Sequence, residues 1–243
     1  MNIVAVIPAR YDSSRFPGKP LALIGGKPMI QHVYQGSRES TKISDLVVAT
    51  DDQRIVEVVH RFGGKAILTG AHHQTGTSRC IEVAGHYPEA QWLINIQGDE
   101  PLIHGKLLDQ MVEMIESRPQ ATIITMVRKI TDPDAIDNAN VVKCVFDEQG
   151  KALYFSRSPI PYDQTRQAPT YYQHLGIYAF KSDILSELID LPRSPLESAE
   201  SLEQLRWLEH GLPIYVGITT YTAHGVDIPT DIQTIENLMK VKK

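Results

Sequence analysis

The sequence predicts an α/β fold: a mostly parallel sheet flanked by helices, with an antiparallel excursion in the middle of the chain. Three observations predict it. Short apolar runs at 2–7, 45–50, 65–68 and 92–96 are bounded by polar turns, as strands buried on both faces are. Stretches with helical periodicity lie between or after them. Strands alternating with helices imply right-handed crossovers and a parallel sheet. By contrast, the runs at 141–146, 152–155 and 171–180 have no long helix between them, which suits antiparallel pairing.

The elements follow in order. Residues 2–7 (NIVAVI) form a buried strand, followed by a loop rich in Arg, Ser, Gly and Pro. Residues 28–39 form a helix with Met29, Ile30 and Val33 on one face. Residues 45–50 (DLVVAT) form the next strand, and Asp51–Asp52 supply a turn and helix cap. Ile55, Val56, Val58 and Val59 mark a helix ending at Gly63–Gly64. A short strand at 65–68 precedes the strand WLINI at 92–96, which ends in the polar turn QGDEP. Leu107, Leu108, Met111, Val112 and Ile115 face one way on a helix over 107–117. After the antiparallel excursion come a helix at 202–209, a strand at 214–218 and a turn at 225–229. A helix at 230–240, capped by Thr230 or Asp231, ends the chain. No repeat or linker interrupts residues 1–243, so one domain is expected, with an antiparallel excursion over roughly 127–180 that suits an oligomerisation arm.

The 243 residues are 42% hydrophobic and 22% charged, which excludes disordered and fibrous classes. A net charge of -5 provides no global attraction to nucleic acid or anionic membrane. A polyanionic ligand must therefore be held by a local cation cluster. Cys80 and Cys144 lack metal-ligand spacing and read as reduced thiols. No apolar run approaches the ~20 residues that span a bilayer, and residues 1–8 are too short for a leader. The expectation is a cytoplasmic protein with no nucleic-acid or membrane partner.

The local cluster lies directly after the first strand. Residues 8–20, PARYDSSRFPGKP, carry Arg10, Arg15 and Lys19 among small residues. Fixed backbone N–H groups and mobile cations together suit a triphosphate. The spacing is not that of the GxxxxGKS/T loop. In parallel sheets ligands bind outside the carboxyl ends of the strands, where the loops after residues 7, 50 and 96 fall.

The segments IPARYDSSRFPGKPL, VATDD, TGTSR, NIQGDEP, ALYFSRSPIP, HLGIYAF, SPLE, LEQLR and GVDIP occur in this order across nearly the whole chain. This pattern resembles the 3-deoxy-manno-octulosonate (Kdo) cytidylyltransferase family. The resemblance implies a Rossmann-like nucleotidyltransferase sheet. It also implies transfer of CMP from CTP to a Kdo-type sugar acid, for lipopolysaccharide biosynthesis, by a Mg²⁺-dependent homodimer. A cytidylyltransferase for another sugar acid, such as sialic acid, and a non-catalytic nucleotide-binding module are the alternatives.

Residue by residue, the resemblance implies that Ala9, Arg10, Arg15, Lys19, Gln74, Gly76 and Thr77 bind the nucleotide. Lys19, Arg15 and Asp99 would be catalytic, and Asp99 and Asp227 would hold the metal; alternatively Asp99 shapes a turn and Asp227 caps the last helix. The sugar would meet Arg79, Gln97, Arg157, His174, Tyr178, Glu200, Glu203 and Gln204. Here too structural readings compete. TGTSR can be a capped helix start, Arg157 a surface ion pair, and His174 a structural histidine. Glu200, Glu203 and Gln204, at i, i+3 and i+4, can be a solvated helix face. His72-His73 lacks a third ligand nearby and reads as a loop rather than a metal site.

Three positions depart from the family pattern. Ser78 replaces an acid, Gln173 an arginine before HLGIY, and ESAES stands where ExIEx is usual. Two of these changes remove a cationic or bulky polar group, which raises the 8-amino analogue of Kdo, 8-amino-3,8-dideoxy-manno-octulosonate, as an acceptor.

Overall fold

The computed structural model describes residues 1–12, 15–167 and 169–241. Ser13 and Ser14 of the cationic loop lie outside the described residues. The chain divides into two compact units, one of Met1–Val112 with Ala223–Lys243 and one of Glu113–Thr222, where the sequence suggests a single domain.

The first unit begins with β1 (Ile3–Ala9), then a short hairpin of β2 (Leu23–Ile24) and β3 (Lys27–Pro28). Next come α1 (Met29–Arg38), β4 (Asp45–Thr50), α2 (Gln53–Arg61), β5 (Ala66–Leu68), α3 (Gly76–Ala84), β6 (Trp92–Asn95) and α4 (Gly105–Ser117). Strand β1 pairs in parallel with β4 on one side and β6 on the other, and β4 pairs in parallel with β5. The local chemistry explains the ends. The Asp52 carboxylate accepts from the Arg54 N–H and caps α2, and Thr75 with Ser78 forms a capping box at α3.

The chain order β1, β4, β5 runs outward on one side of β1, and β6 returns on the other. The direction of winding therefore reverses at β1 and β6, so their carboxyl ends flank a crevice of the kind that binds ligands in such sheets. The two ends approach closely. A Cβ on Gly98 would stand 2.6 Å from the Pro8 carbonyl oxygen, so only glycine lets the loop after β6 pass there.

The second unit holds β7 (Ile123–Lys129), the short helix α5 (Asp134–Asp137), β8 (Lys143–Phe146), β9 (Ala152–Ser156) and β10 (Tyr172–Lys181). It continues with α6 (Leu185–Asp190), α7 (Pro195–Glu200), α8 (Gln204–Glu209) and β11 (Ile214–Thr219). Strands β8 and β9 form an antiparallel hairpin, β10 is antiparallel to β7 and β8, and β11 is parallel to β7. The expected antiparallel excursion is present, and β7 is an element that the sequence pattern does not mark. Its run IITMV is short, continuous and apolar, and periodicity alone does not separate such a run from a buried helix turn.

The chain returns to the first unit in α9 (Asp231–Val241). Val226 and Ile235 pack with Ile24 and Met29, and Phe16 of the cationic loop packs against them. Burying a phenylalanine stabilises by roughly 1.5–3 kcal/mol. That is enough to anchor one side of the loop.

Candidate active site

The loop after β1 is folded rather than splayed. The Gly18 N–H donates to the Tyr11 carbonyl (2.8 Å), and Lys19–Leu21 form one 3-10 turn. The Arg54 guanidinium lies 3.4 Å from the Tyr11 ring centroid, in cation–π geometry. The same guanidinium forks onto Asp52 from Nε and Nη2 (2.9 and 2.5 Å). The loop is thus held from α2 as well as from its own backbone.

Lys19 is the hub. Its Nζ donates to Asp99 Oδ2 (2.6 Å) and to the Val226 carbonyl (2.8 Å), and lies 4.0 Å from Asp227 Oδ1. Arg15 Nη2 donates to Asp227 Oδ1 at 3.0 Å. The Val226 N–H donates to the Asp99 carbonyl (2.9 Å), which fixes the turn at 225–229 beside the loop after β6. Four residues from three distant stretches therefore converge: Arg15, Lys19, Asp99 and Asp227. Asp231, not Asp227, organises the turn before α9, since its carboxylate accepts from the N–H groups of Asp227 and Ile228 (2.8 and 3.0 Å). The Asp99 carboxylate likewise points to Lys19 rather than back to its own turn.

A cleft of about 370 Å³ opens here, lined by Ala9, Arg10, Lys19, Gly76, Gln97 and Asp99 among others. The donor set fits a hard divalent cation. Two carboxylates face one cationic point, now the Lys19 ammonium, and Mg²⁺ takes carboxylate, phosphate and water oxygens. Gln74 is exposed in the loop before α3, and Thr77 is buried in its first turn.

Arg79 differs from expectation. It is fully buried, with Nη1 donating to Thr69 Oγ1 (2.5 Å) and Nη2 to Asp51 Oδ2 (2.7 Å). Its position on the inner face of α3 turns it toward the carboxyl ends of β4 and β5, so it reaches no sugar. Instead it fastens α3 to the strands. His72 and His73 lie in the loop before α3, as expected, but they do not lack a third group nearby. Helix α3 brings Glu82 to the pair, and His73 Nε2 contacts Glu82 Oε2.

In the second unit the expected sugar residues occupy three different settings. Glu200, Glu203 and Gln204 do not share one helical face. Helix α7 ends at Glu200, Ser201 takes the left-handed conformation (φ 52°) and α8 starts at Gln204. The Glu200 carboxylate accepts from Ser156 Oγ (2.6 Å) and from the Arg157 N–H (2.9 Å). Arg157 donates from Nε to the Glu200 carbonyl (2.7 Å) and from Nη1 to the Ala139 carbonyl (3.0 Å). Its fork ties backbone segments together, so it is neither a surface ion pair nor an open carboxylate clamp. Gln204 is buried.

His174 is buried on β10, and burial lowers its pKa to about 3, so it is neutral. Thr125 Oγ1 donates to the Ile177 carbonyl (2.7 Å) and lies 2.9 Å from His174 Nε2. The hydroxyl has one proton, so Nε2–H must be the donor in that contact and Nδ1 carries no proton. His174 can therefore accept from a sugar hydroxyl at Nδ1 but not donate to it. Tyr178 packs between His174 and Trp207, with ring centroids 5.3 and 5.0 Å away. Its buried hydroxyl has no hydrogen-bond partner among the described residues, and burial holds its pKa well above the ordinary value. An unpaired buried hydroxyl costs roughly 1–3 kcal/mol, which a ligand oxygen would relieve.

The parallel crevice with a cation hub between two carboxylates is that of a nucleotidyltransferase. A cytidylyltransferase family profile matches residues 4–216. The 3-deoxy-manno-octulosonate cytidylyltransferase of Thermodesulfovibrio yellowstonii is 44% identical, over 98% of each chain. That of Chlamydia pneumoniae is 46% identical, over 96% of this chain and 92% of its own. Among solved structures, CMP:2-keto-3-deoxy-manno-octonic acid synthetase complexed with CTP is 42% identical, has a TM-score of 0.95 and is covered fully, as is this chain. The chain belongs to the 3-deoxy-manno-octulosonate cytidylyltransferase family.

Proposed function

We propose that this protein transfers CMP from CTP to the anomeric 2-hydroxyl of Kdo, releasing pyrophosphate. The observation that carries the reading is the convergence of Asp99, Asp227 and Arg15 on Lys19 at the carboxyl ends of β1 and β6. The hydroxyl attacks the α-phosphorus in line, the new P–O bond forms, and the bond to the bridging oxygen of pyrophosphate breaks. Lys19 and Arg15 offset the charge that grows on pyrophosphate, and Arg10 binds its oxygens. Ala9, Gly76, Thr77 and Gln74 border the nucleotide. Gln97 lines the cleft of the first unit; in the second unit, His174 Nδ1, the Tyr178 hydroxyl and Glu203 are the groups we assign to sugar hydroxyls. Asp99 and Asp227 would hold Mg²⁺, which would supply charge neutralisation at the α-phosphate.

Unmodified Kdo is the acceptor we favour over its 8-amino analogue, because the departures at Ser78 and Gln173 have local explanations. Ser78 completes the capping box of α3 without an acid. Gln173 Oε1 accepts from Arg128 Nε (2.9 Å), where an arginine would meet a like charge. We also assign a cytoplasmic location and a homodimeric state, the latter supported by exposed Leu153 and Tyr162 in the second unit and testable by light scattering. Pyrophosphate release from CTP and Mg²⁺ should be fastest, by kcat/KM, with Kdo, compared with its 8-amino analogue and sialic acid. A higher value with either competitor overturns the acceptor assignment. No release with any of the three overturns the reaction.

A further inference from the structure

We infer that His72, His73 and Glu82 form a zinc-type metal site, separate from the carboxylates of the cleft. The loop between β5 and α3 supplies two adjacent imidazoles, and α3 supplies the carboxylate. One ligand atom from each residue lies within 4.8 Å of the other two. In a tetrahedral site with bonds of about 2.1 Å, ligand atoms sit about 3.4 Å apart. His72 is exposed, so its ring is free to turn inward, and the His73–Glu82 contact, tighter than that spacing, would open to admit the ion.

Two independent features build the cluster. The Glu82 carboxylate is aimed inward, contacting His73 Nε2 and accepting from the Gly70 N–H at Oε2 (3.0 Å). The second feature is Gly70. A Cβ there would stand 2.4 Å from His72 Nδ1 and Cε1, so the absence of a side chain makes room for that ring. The two imidazoles lie 4.2 Å apart at 38°, tilted rather than flat against each other.

The donor set selects the metal. Two imidazole nitrogens and one carboxylate oxygen suit Zn²⁺, whereas Mg²⁺ and Ca²⁺ need more oxygens. Three protein ligands leave a fourth position for water. The ion would rivet the loop to α3, directly before Gly76 of the nucleotide cleft, beside the Arg79–Thr69 bond that already holds the loop's start. Its role is to set the loop carrying Gln74.

The test is titration of metal-stripped full-length protein with Zn²⁺ and, as a spectroscopic probe, Co²⁺. One Zn²⁺ per chain should bind and raise the melting temperature, and Co²⁺ should give the intense visible absorption of a four-coordinate site. His72→Ala leaves the His73–Glu82 contact in place, so it should fold while weakening Zn²⁺ binding on the order of 100-fold. Glu82→Gln should weaken it comparably. Zn²⁺ affinity unchanged in His72→Ala, a purely six-coordinate Co²⁺ spectrum, or no Zn²⁺ uptake by the wild type would each overturn the inference.

Discussion

Lowering the pH from 7 to 5 should destabilise the protein through a single imidazole, that of His174. Its ordinary pKa is 6.5, and burial depresses it to about 3 in the folded chain. Between those values the unfolded chain binds a proton that the folded chain does not, so stability rises with pH across this window and falls as acid is added. At pH 7 the two states are nearly balanced in this respect. At pH 5 the unfolded imidazole is about 97% protonated, which favours unfolding by about 2 kcal/mol relative to pH 7. Protonation in place is not an escape. Thr125 Oγ1 already takes the Nε2 proton, and the rings of Phe155 and Tyr178 surround His174. The assay is urea unfolding at pH 5, 6 and 7 for the wild type and for His174→Gln, whose amide can still donate to Thr125. Carboxylates contribute equally to both, so the difference in slope isolates the histidine. Equal slopes in the two proteins, or a wild-type stability that is flat from pH 7 to 5, would refute the reasoning.

Two further substitutions test the first unit. Lys19→Ala should lower kcat by ~10²–10³-fold, as loss of a charge-stabilising donor does, with little loss of folding; a steady-state assay with wild-type turnover would remove Lys19 from the chemistry. Arg79→Ala should cost roughly 3–5 kcal/mol in urea unfolding, because it strands Asp51 beside a buried space. If the variant kept its stability but lost affinity for the acceptor, the sugar-contact role would be restored.

Much of this is legible in the amino-acid sequence. The alternation of strand and helix can be read because both periods are local. The ends of α1, α2 and β4 fall where apolar pattern, caps and glycines place them. The cationic loop was legible for a similar reason: Arg10, Arg15 and Lys19 are neighbours in the chain. Family membership followed from ordered segments spread over the whole length.

What was not legible depended on partners far apart in sequence. Arg79 sits in a polar motif and looks available, yet its helical face is set by α3 packing on β4 and β5, and Asp51 and Thr69 take its two terminal nitrogens. Glu200, Glu203 and Gln204 have helical spacing, but a left-handed Ser201 breaks the helix between them, and serine signals that conformation weakly. Glu82 joins His72 and His73 only because α3 folds back over the loop that precedes it. By itself, then, the sequence determined the alternating architecture, the triphosphate loop and the family, since these rest on local periodicity and on residues adjacent in the chain. Only the tertiary structure decided that Lys19 bridges Asp99 and Asp227, that His174 is neutral and donates to Thr125, and that Arg79 faces inward. Those outcomes depend on long-range packing, which sets the direction of each side chain and the water left around it.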